Sequence, residues 1–520
     1  MNEKKDISME LGSKMTKVAS FLTFGKGISL FINLITFVII ARYIGPSNFG
    51  IYTIIMSIIA LLSGFGNPNI SYYLSKKIPR LFSTNKISEA KLMLGDTLLI
   101  TLFFSIILSA VGIIFGTYFL STVTHTYFYS LALLLGIPII FFSLIYGNLY
   151  FYILGLNKGK ELAEASIIHS ITQFIFSVSL VLLGFGVAGA VSGYLMGLII
   201  STLFEFFVIL KLIGININLN GFKKRAKTIL AFSKSLAYTN IINNVTSNFG
   251  ILFLGIIVSA SLVGYYGIAS KIGSLLDVFI GAISLAILPM FSEAVSLKKE
   301  GANAGKLLFY SIYMGILFAM PLIMMFTVFS SEITFIVFST AYNNAVPYMQ
   351  LISIGILIGI FSTFGTNFLI SSSKQKKVFK YAFISNLIQL IFIIILIPIF
   401  GVYGLVIATL FIGNIILNVL YLNYFSKIGI ILHRNKMLRL ILANVIFALI
   451  LIPFTYIIPE SVGLVLGILS IFLIYPILLG LIKGISKNDL DLINNASKSV
   501  PFFGFIIRKI TAYAFNFCFS

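Results

Sequence analysis

The sequence predicts an all-α integral membrane protein with about fourteen transmembrane helices, set as two six-helix lobes related by a pseudo-two-fold axis, plus two extra C-terminal helices. Three observations carry this. First, hydrophobic residues make up 59% of the 520 and charged ones only 10%, with a mean hydropathy of +1.07. A soluble domain carries about a quarter charged residues, so this much apolar side chain cannot be hidden in a water-soluble core. Second, apolar segments long enough to cross about 30 Å of hydrocarbon follow one another along the chain. Third, short stretches of the first half return in order in the second.

In chain order, a polar stub through Lys17 carries Lys4, Lys5 and Lys14, and the first apolar span runs over 26–44. It reads as a span and not as a cleavable signal, because no A-x-A end follows it. Further spans are expected at 49–74, 94–120, 127–154, 164–184, 187–210, 229–258 and 262–292. The rest fall at 306–329, 346–371, 379–400, 402–425, 438–458 and 462–482. Strands of a barrel would alternate polar and apolar over about ten residues, which these do not. The tail, with its Pro501–Lys509 run, is too interrupted to span and reads as interfacial or disordered.

The repeat rests on three echoes. Ser47-Asn48-Phe49-Gly50-Ile51-Tyr52 returns as Ser261-Leu262-Val263-Gly264-Tyr265-Tyr266, an offset of 214 residues. Gly186-Val187-Ala188-Gly189 returns as Gly401-Val402-Tyr403-Gly404 at 215, and Asn157-Lys158-Gly159-Lys160 as Ser373-Lys374-Gln375-Lys376 at 216. A duplicated unit of this length is far longer than a solenoid repeat, and such duplications mark many secondary transporters. The expected organisation is an N-lobe over 1–222, a C-lobe over 223–430, two spans over 431–483 and a cytoplasmic tail over 484–520.

Loop charge supplies the orientation. The 36 Lys and Arg against 15 Asp and Glu give a formal charge of +21. On a soluble protein that excess would suggest nucleic acid; here it collects in every second loop, as in Lys76, Lys77 and Arg80, or Lys223, Lys224, Arg225 and Lys227. The intervening loops, such as 184–186 and 330–345, hold no Lys or Arg. The positive-inside rule then places both termini in the cytoplasm and the protein in the cytoplasmic membrane, with anionic lipid as the basic loops' partner and no nucleic acid. The two repeats share one orientation and are parallel copies about an axis along the membrane normal.

Several chemistries are unsupported. The single Cys518 leaves no internal disulfide or cysteine cluster, three His show no ligand spacing, and no metal or cofactor is expected. Gly184–Gly189 matches G-x-G-x-x-G literally but lacks a βαβ context, and reads as a tight turn between spans. Gly189, Gly193 and Gly197, four apart, read as a helix-packing face. No Walker motif, H-E-x-x-H or nucleophile elbow is present, which argues against an ATP-driven pump or a hydrolase.

Polar residues inside spans are costly in hydrocarbon unless they face protein or water. Span seven carries Asn240, Asn243, Asn244, Ser247 and Asn248 within one arc; span eight carries Lys271, Ser274 and Asp277; span one carries Lys26, Ser29, Asn33 and Thr36 as a stripe. Interhelical hydrogen bonds, or a Lys271–Asp277 pair neutralised in place, would explain them structurally; a water-filled cavity would explain them functionally. Arg42 reads as a helix-end or headgroup contact, and Glu205 as a snorkelling surface acid.

Ile40-Ala41-Arg42-Tyr43-Ile44-Gly45-Pro46-Ser47-Asn48-Phe49-Gly50-Ile51-Tyr52 resembles the A-R-x-L-G-x-x-x-F-G-x-Y signature of polysaccharide-biosynthesis membrane proteins. These are Wzx-type lipid-linked oligosaccharide flippases of the multidrug/oligosaccharidyl-lipid/polysaccharide exporter superfamily. Val263–Lys271 resembles the second-half signature G-x-Y-x-x-A-x-[KR], and Leu288-Pro289 with Ser292 resembles its L-P-x-x-S. One departure stands out: where many members have an acid before a Gly at the end of span two, this chain reads Ser63-Gly64-Phe65-Gly66.

The resemblance implies translocation of a polyprenyl-(di)phosphate-linked oligosaccharide by alternating access, by a transporter and not an enzyme. Lys271 would take the phosphate, with Ser274 and Asp277 beside it; Asn240, Asn244, Asn33 and Lys26 would meet the glycan. Expected partners are the bilayer, the lipid-linked oligosaccharide and glycosyltransferases, around a monomer. Two relatives of the same superfamily compete. A multidrug or cation antiporter would have an acid in span one, which is absent here; a lipid II-type flippase would have extra basic residues midway along span one, also absent.

Overall fold

The computed structural model describes residues 2–66, 70–124, 129–296, 302–372, 374–428, 434–457 and 459–485, so most of the expected tail lies outside the described residues. The described chain is helical throughout, as hydrocarbon demands when every backbone N–H and C=O must find its partner within the chain. Two compact units divide after Gly264.

The first unit holds α1 (Asn2–Gly66), α2 (Ile70–Ser83), α3 (Ile87–Val111), α4 (Thr117–Thr124), α5 (Ser130–Gly136), α6 (Pro138–Gly155), α7 (Gly159–Leu180), α8 (Gly186–Leu212) and α9 (Phe222–Ile257). Spans one and two are the two arms of α1. Gly45 breaks the helix with φ 74 and ψ 169, which an L side chain rarely adopts, and Pro46 starts the second arm. Rings from the two arms meet edge to face, with Phe37 and Phe49 at 5.0 Å, so the chain doubles back. Asn48 satisfies a carbonyl at the break, donating to Ile44 O at 3.0 Å, and accepts from the Tyr129 hydroxyl at 2.8 Å.

Spans five and six form a second hairpin, α7 and α8, turning at Gly184 (φ 90) and Gly186 (φ 51, ψ −127). Its arms pack through the glycines that the spacing singled out. A Cβ at Gly193 would strike Ser177, and one at Gly197 would meet the His169 carbonyl at 2.9 Å; the Ser177 hydroxyl bonds the Ala190 carbonyl at 3.3 Å.

Polar side chains within the spans turn inward and apolar ones cover the outside. Along α3, Asp96, Thr97, Thr101 and Ser105 are buried, while Phe103, Ile106 and Ile107 are exposed. The Asn148 amide of α6 closes onto the Thr101 hydroxyl. Such a face suits lipid, which is as apolar as the side chains that meet it. At the end that carries the basic loops, a core of Ile70, Leu74, Ile78, Leu94, Leu149, Ile153 and Ile209 ties α2, α3, α6 and α8 together.

Helix α10 (Ala260–Ser296) begins in the first unit and continues into the second. Its first turn crosses the second arm of α1 where the two copies of the echoed segment meet. A Cβ on Gly50 would strike the Ala260 carbonyl, and one on Gly264 would strike the Pro46 carbonyl.

The second unit continues with α11 (Ala302–Val328), α12 (Ser330–Ile333), α13 (Val346–Ser371), α14 (Gln375–Phe400), α15 (Val402–Val406), α16 (Gly413–Lys427), α17 (Arg434–Ile457) and α18 (Glu460–Leu481). The hairpin of α14 with α15 and α16 repeats that of α7 and α8. Gly401 has φ 56 and ψ −127, almost the values of Gly186. Gly404 abuts the Leu396 carbonyl, and the Ser385 hydroxyl bonds the Gly413 carbonyl at 2.9 Å. The third echo also shares its turn, with Lys158 N bonding Ile153 O at 3.3 Å and Lys374 N bonding Leu369 O at 2.9 Å. The duplication read from short sequence echoes is therefore present in the backbone.

Two helices outside the repeat dock on α11. Asn444 of α17 donates to the Tyr475 hydroxyl of α18 at 3.0 Å, which donates to Leu317 O of α11 at 3.1 Å. Gly467 lets Phe329 lie against α18, and Lys436 sits 4.6 Å from the Tyr313 ring centroid.

Among the described residues eleven helical runs are long and apolar enough to cross a membrane. Two of them, Ser20–Gly66 with 47 residues and Gly159–Leu212 with 54, contain the glycine breaks described above and are long enough to cross twice. Because Gly186 and Gly401 occupy matching backbone positions, alanine at either should cost about 1–3 kcal/mol. The loss is measurable as the fraction of monodisperse protein surviving stepped heating; a tolerated Gly401→Ala beside a disruptive Gly186→Ala would separate the two hairpins.

Candidate functional site

In the second unit, Lys271, Ser274 and Asp277 project from one helix, α10. One side of it is packed: Ile272, Leu276 and Ile280 are buried, and a Cβ at Gly273 would meet Ile352 of α13 at 2.6 Å. The other side carries Ser274 and Asp277, both exposed, with Lys271 half-buried between the faces. Ser274 donates to the Lys271 carbonyl at 2.6 Å, so its lone pairs remain free to accept. Lys271 and Asp277 lie about 9 Å apart along the axis, which leaves room for a ligand between the charges. Two turns beyond Asp277, the Ser284 hydroxyl accepts from Asn367 of α13 at 2.7 Å.

In the first unit, Lys26 is exposed and Asn33 half-buried on the first arm of α1, two turns apart. The Asn33 carbonyl oxygen and the Ser29 hydroxyl are buried without a hydrogen-bond partner, whereas Thr36 is satisfied by Ile32 O at 2.8 Å. Asn240 is exposed on α9. Asn244 serves packing: its amide donates to the Ala60 carbonyl of α1 at 3.1 Å, and Gly64 gives it space. Asn248 in turn donates to Asn244 O at 3.0 Å. The structure thus sets Ser274 and Asp277 on the exposed side of α10 with Lys271 at its edge, Lys26 and Asn33 along the first arm of α1, and the Asn cluster partly against α1.

Two features escaped sequence reasoning. Arg225 sits within a basic loop cluster that reads as solvated. It instead binds Asp96 of α3 through two bonds, Nε to Oδ2 at 2.6 Å and NH2 to Oδ1 at 2.9 Å, and also bonds the Asn220 carbonyl at 2.6 Å. Paired with Asp96 in the fork geometry, this arginine straps the connection between the repeats onto α3. An acid in an otherwise apolar span was the available signal. Glu205, expected as a snorkelling surface acid, is fully buried at 0% exposure, because the face of α8 that carries it turns toward α6 and α7 and not toward lipid.

Among the described residues no three His, Cys, Asp or Glu converge on a metal position. A cavity of about 300 Å³ in the first unit is lined by Ile58, Leu62, Val111, Phe115, Phe119 and Leu252 among others. It offers mainly hydrocarbon contact and no charged group that would hold a phosphate.

This helical, lipid-faced architecture is the two-lobe fold of membrane transporters, and the comparisons agree. The lipid II flippase MurJ in an inward closed conformation superposes with a TM-score of 0.71 at 18% identity, covering 88% of this chain and 98% of that one. An inward-facing multidrug resistance MATE family transporter gives 0.64 at 15%, covering 77% and 94%. At these identities the likeness concerns the fold. Residues 15–295, more than half of the chain, match the polysaccharide biosynthesis protein family, and residues 236–395 match MatE. The chain belongs to the polysaccharide biosynthesis protein family. Two archaeal relatives are similar in sequence: an uncharacterized membrane protein, MJ1068, of Methanocaldococcus jannaschii (26% identical over 320 residues, 58% of this chain and 60% of that protein), and the probable low-salt glycan biosynthesis flippase Agl15 of Haloferax volcanii (28% over 272 residues, 52% and 56%). The matched part spans less than two thirds of either relative.

Asn244 and Gly64 should behave as a unit. Gly64→Ala places a methyl against the Asn244 amide and should destabilise, and Asn244→Ala should cost about 1 kcal/mol through its lost interhelical bond. The double variant should be less destabilised than the sum of the two, as measured by a double-mutant cycle on thermal survival; strict additivity would show that the two do not touch.

Proposed function

We propose that the protein flips a polyprenyl-(di)phosphate-linked oligosaccharide across the cytoplasmic membrane by alternating access, for the assembly of a surface polysaccharide or glycan. Membership of the polysaccharide biosynthesis family over residues 15–295 carries this reading, and the similarity to the probable glycan flippase Agl15 supports it. The chemistry of α10 fits. A lipid-linked sugar presents a phosphate to the membrane interior, where a low dielectric strengthens its attraction to an ammonium, and Lys271 supplies one. Asp277 on the same helix offers a counter-charge for the empty state. Asn240, Asn33 and Lys26 supply amides and a charge for the glycan, while Asn244, whose amide is taken by the Ala60 carbonyl, holds α9 against α1. Glycosyltransferases are the natural neighbours of such a protein, which acts as a monomer. The competing lipid II reading rests on fold likeness, and the multidrug reading on fold likeness and the MatE match over residues 236–395.

Two experiments test this. Lys271→Ala should leave membrane insertion intact and abolish movement of a fluorescent lipid-linked saccharide in proteoliposomes, while Lys271→Arg retains part of it. Normal flipping by Lys271→Ala would make the charge structural. For topology, single cysteines at Asn344 and at Lys376 in a Cys518→Ser background should differ, only the former reacting with an impermeant thiol reagent outside the cell. Reaction at Lys376 would reverse the proposed placement of both termini in the cytoplasm.

A further inference from the structure

The interior of the first unit holds an acid that the proposed substrate site does not use. Glu205 lies in the apolar α7–α8 run and is 0% exposed. Neither carboxylate oxygen has a hydrogen-bond partner. One turn before it, Thr202 is also buried, and its hydroxyl is likewise without a partner. Residues three apart on a helix are neighbours, so three unpartnered oxygens share one turn of α8.

Beside it α6 brings hydroxyls and α7 one imidazole; the charges at the start of α7 are taken up in ion pairs of their own, Lys158 with Glu161 and Lys160 with Glu164, each at 3.7 Å. Tyr146 and Tyr150 of α6 lie within electrostatic reach of Glu205. His169 of α7 is further along, its ring 6.0 Å from that of Tyr146 and 5.5 Å from that of Tyr194, and its buried Nδ1 has no partner. On the first arm of α1, Lys26 is exposed and forms no ion pair with Glu205. Asp96, buried at 2% exposure in the same unit, is treated differently: it has the guanidinium of Arg225.

We infer that Glu205 and Thr202 form an interior cation site that takes up a proton or an alkali cation. A lone carboxylate in a low-dielectric interior is far too costly to persist without positive charge. The acceptor set is in place and, among the described residues, no hydrogen bond or ion pair reaches the carboxylate, so the missing charge comes from a ligand small enough to enter a packed helix bundle. Tyr146 and Tyr150 are positioned to orient that ligand or to relay a proton toward His169. On the transporter reading, uptake and release of this charge drive the cycle; the existence of the site does not depend on that reading.

The test uses the full chain in nanodiscs of phosphatidylethanolamine and phosphatidylglycerol, with proton and sodium as the only probes. Dicyclohexylcarbodiimide modifies protonated carboxyl groups in apolar surroundings, and peptide mass spectrometry locates the adduct. Labelling at Glu205 should fall several-fold as the pH rises if the ligand is a proton. It should fall several-fold when sodium replaces choline at constant pH if the ligand is an alkali cation, and Thr202→Val should weaken that protection. No adduct at Glu205, or labelling indifferent to both pH and sodium, would overturn the inference. Glu205→Gln, checked for unchanged elution and thermal survival, should uncouple saccharide flipping from an imposed pH or sodium gradient; a gradient response equal to wild type would also overturn it. If the wild-type protein moves no lipid-linked saccharide, the flippase reading fails while the labelling result still decides the cation site.

Discussion

Helices in hydrocarbon gain little by hiding apolar surface from one another, so this protein is held together by close backbone approach and by polar contacts. Glycine supplies the approach. Gly50 and Gly264 let the second arm of α1 and the first turn of α10 cross backbone on backbone, Gly193 seats α8 on Ser177, and Gly404 seats α15 on the Leu396 carbonyl. Polar side chains then fix the register that these contacts permit. Ser177 to Ala190 O, Ser385 to Gly413 O, Asn244 to Ala60 O and Asn444 to Tyr475 each join two helices through a short bond. Each is a place where an unmade bond in lipid would be expensive, which makes the pairing specific even though the net gain per bond is modest.

This explains which parts were legible in the sequence. Hydrophobic length located the helices, because the bilayer fixes their minimum size. Glycine located the turns and seams: the repeated Gly186 and Gly401 segments share backbone angles because only glycine tolerates them. The same reasoning read spans one and two as separate, and the break at Gly45 separates them. Long-range pairing was not legible. Nothing local to Arg225 distinguishes it from Lys223, Lys224 and Lys227, which remain exposed, and its partner Asp96 is 129 residues away. Glu205 failed for a related reason, since the depth of an acid on an apolar helix depends on which neighbour covers its face. The candidate site was legible as a set of polar positions, but the division of labour within the Asn cluster was not, because it depends on Ala60 and Gly64 across the interface with α1.

The duplication offers a way to separate architecture from chemistry. Under the offset of 214 residues, Lys26, Ser29 and Asn33 correspond to Asn240, Asn243 and Ser247. The first span of each repeat therefore carries a polar stripe at the same positions, with different chemistry in each. Shared position with changed residue type is what a retained cavity-facing surface with diverged ligands would show. Gly50 and Gly264, or Gly186 and Gly401, keep both position and residue type, as a packing or turn constraint requires.

Applied to the charged residues, the comparison is sharper. Lys271 corresponds to Ser57, which is buried and bonds Thr53 O at 2.8 Å, and Asp277 corresponds to Ser63, which meets Ser143 at 3.3 Å. Small hydroxyls that close onto their neighbours fill the first-repeat positions; a cation and an acid fill the second. At the offset of 215, Glu205 corresponds to Leu420, so this acid belongs to the first repeat alone. A residue needed to hold the common fold would be needed in both copies. Charges at Lys271, Asp277 and Glu205 are not, and placing them on apolar helices is a cost that the architecture does not require. The two repeats thus share a scaffold and divide the electrostatic work, with a cation-and-acid face on α10 in one and a buried carboxyl on α8 in the other.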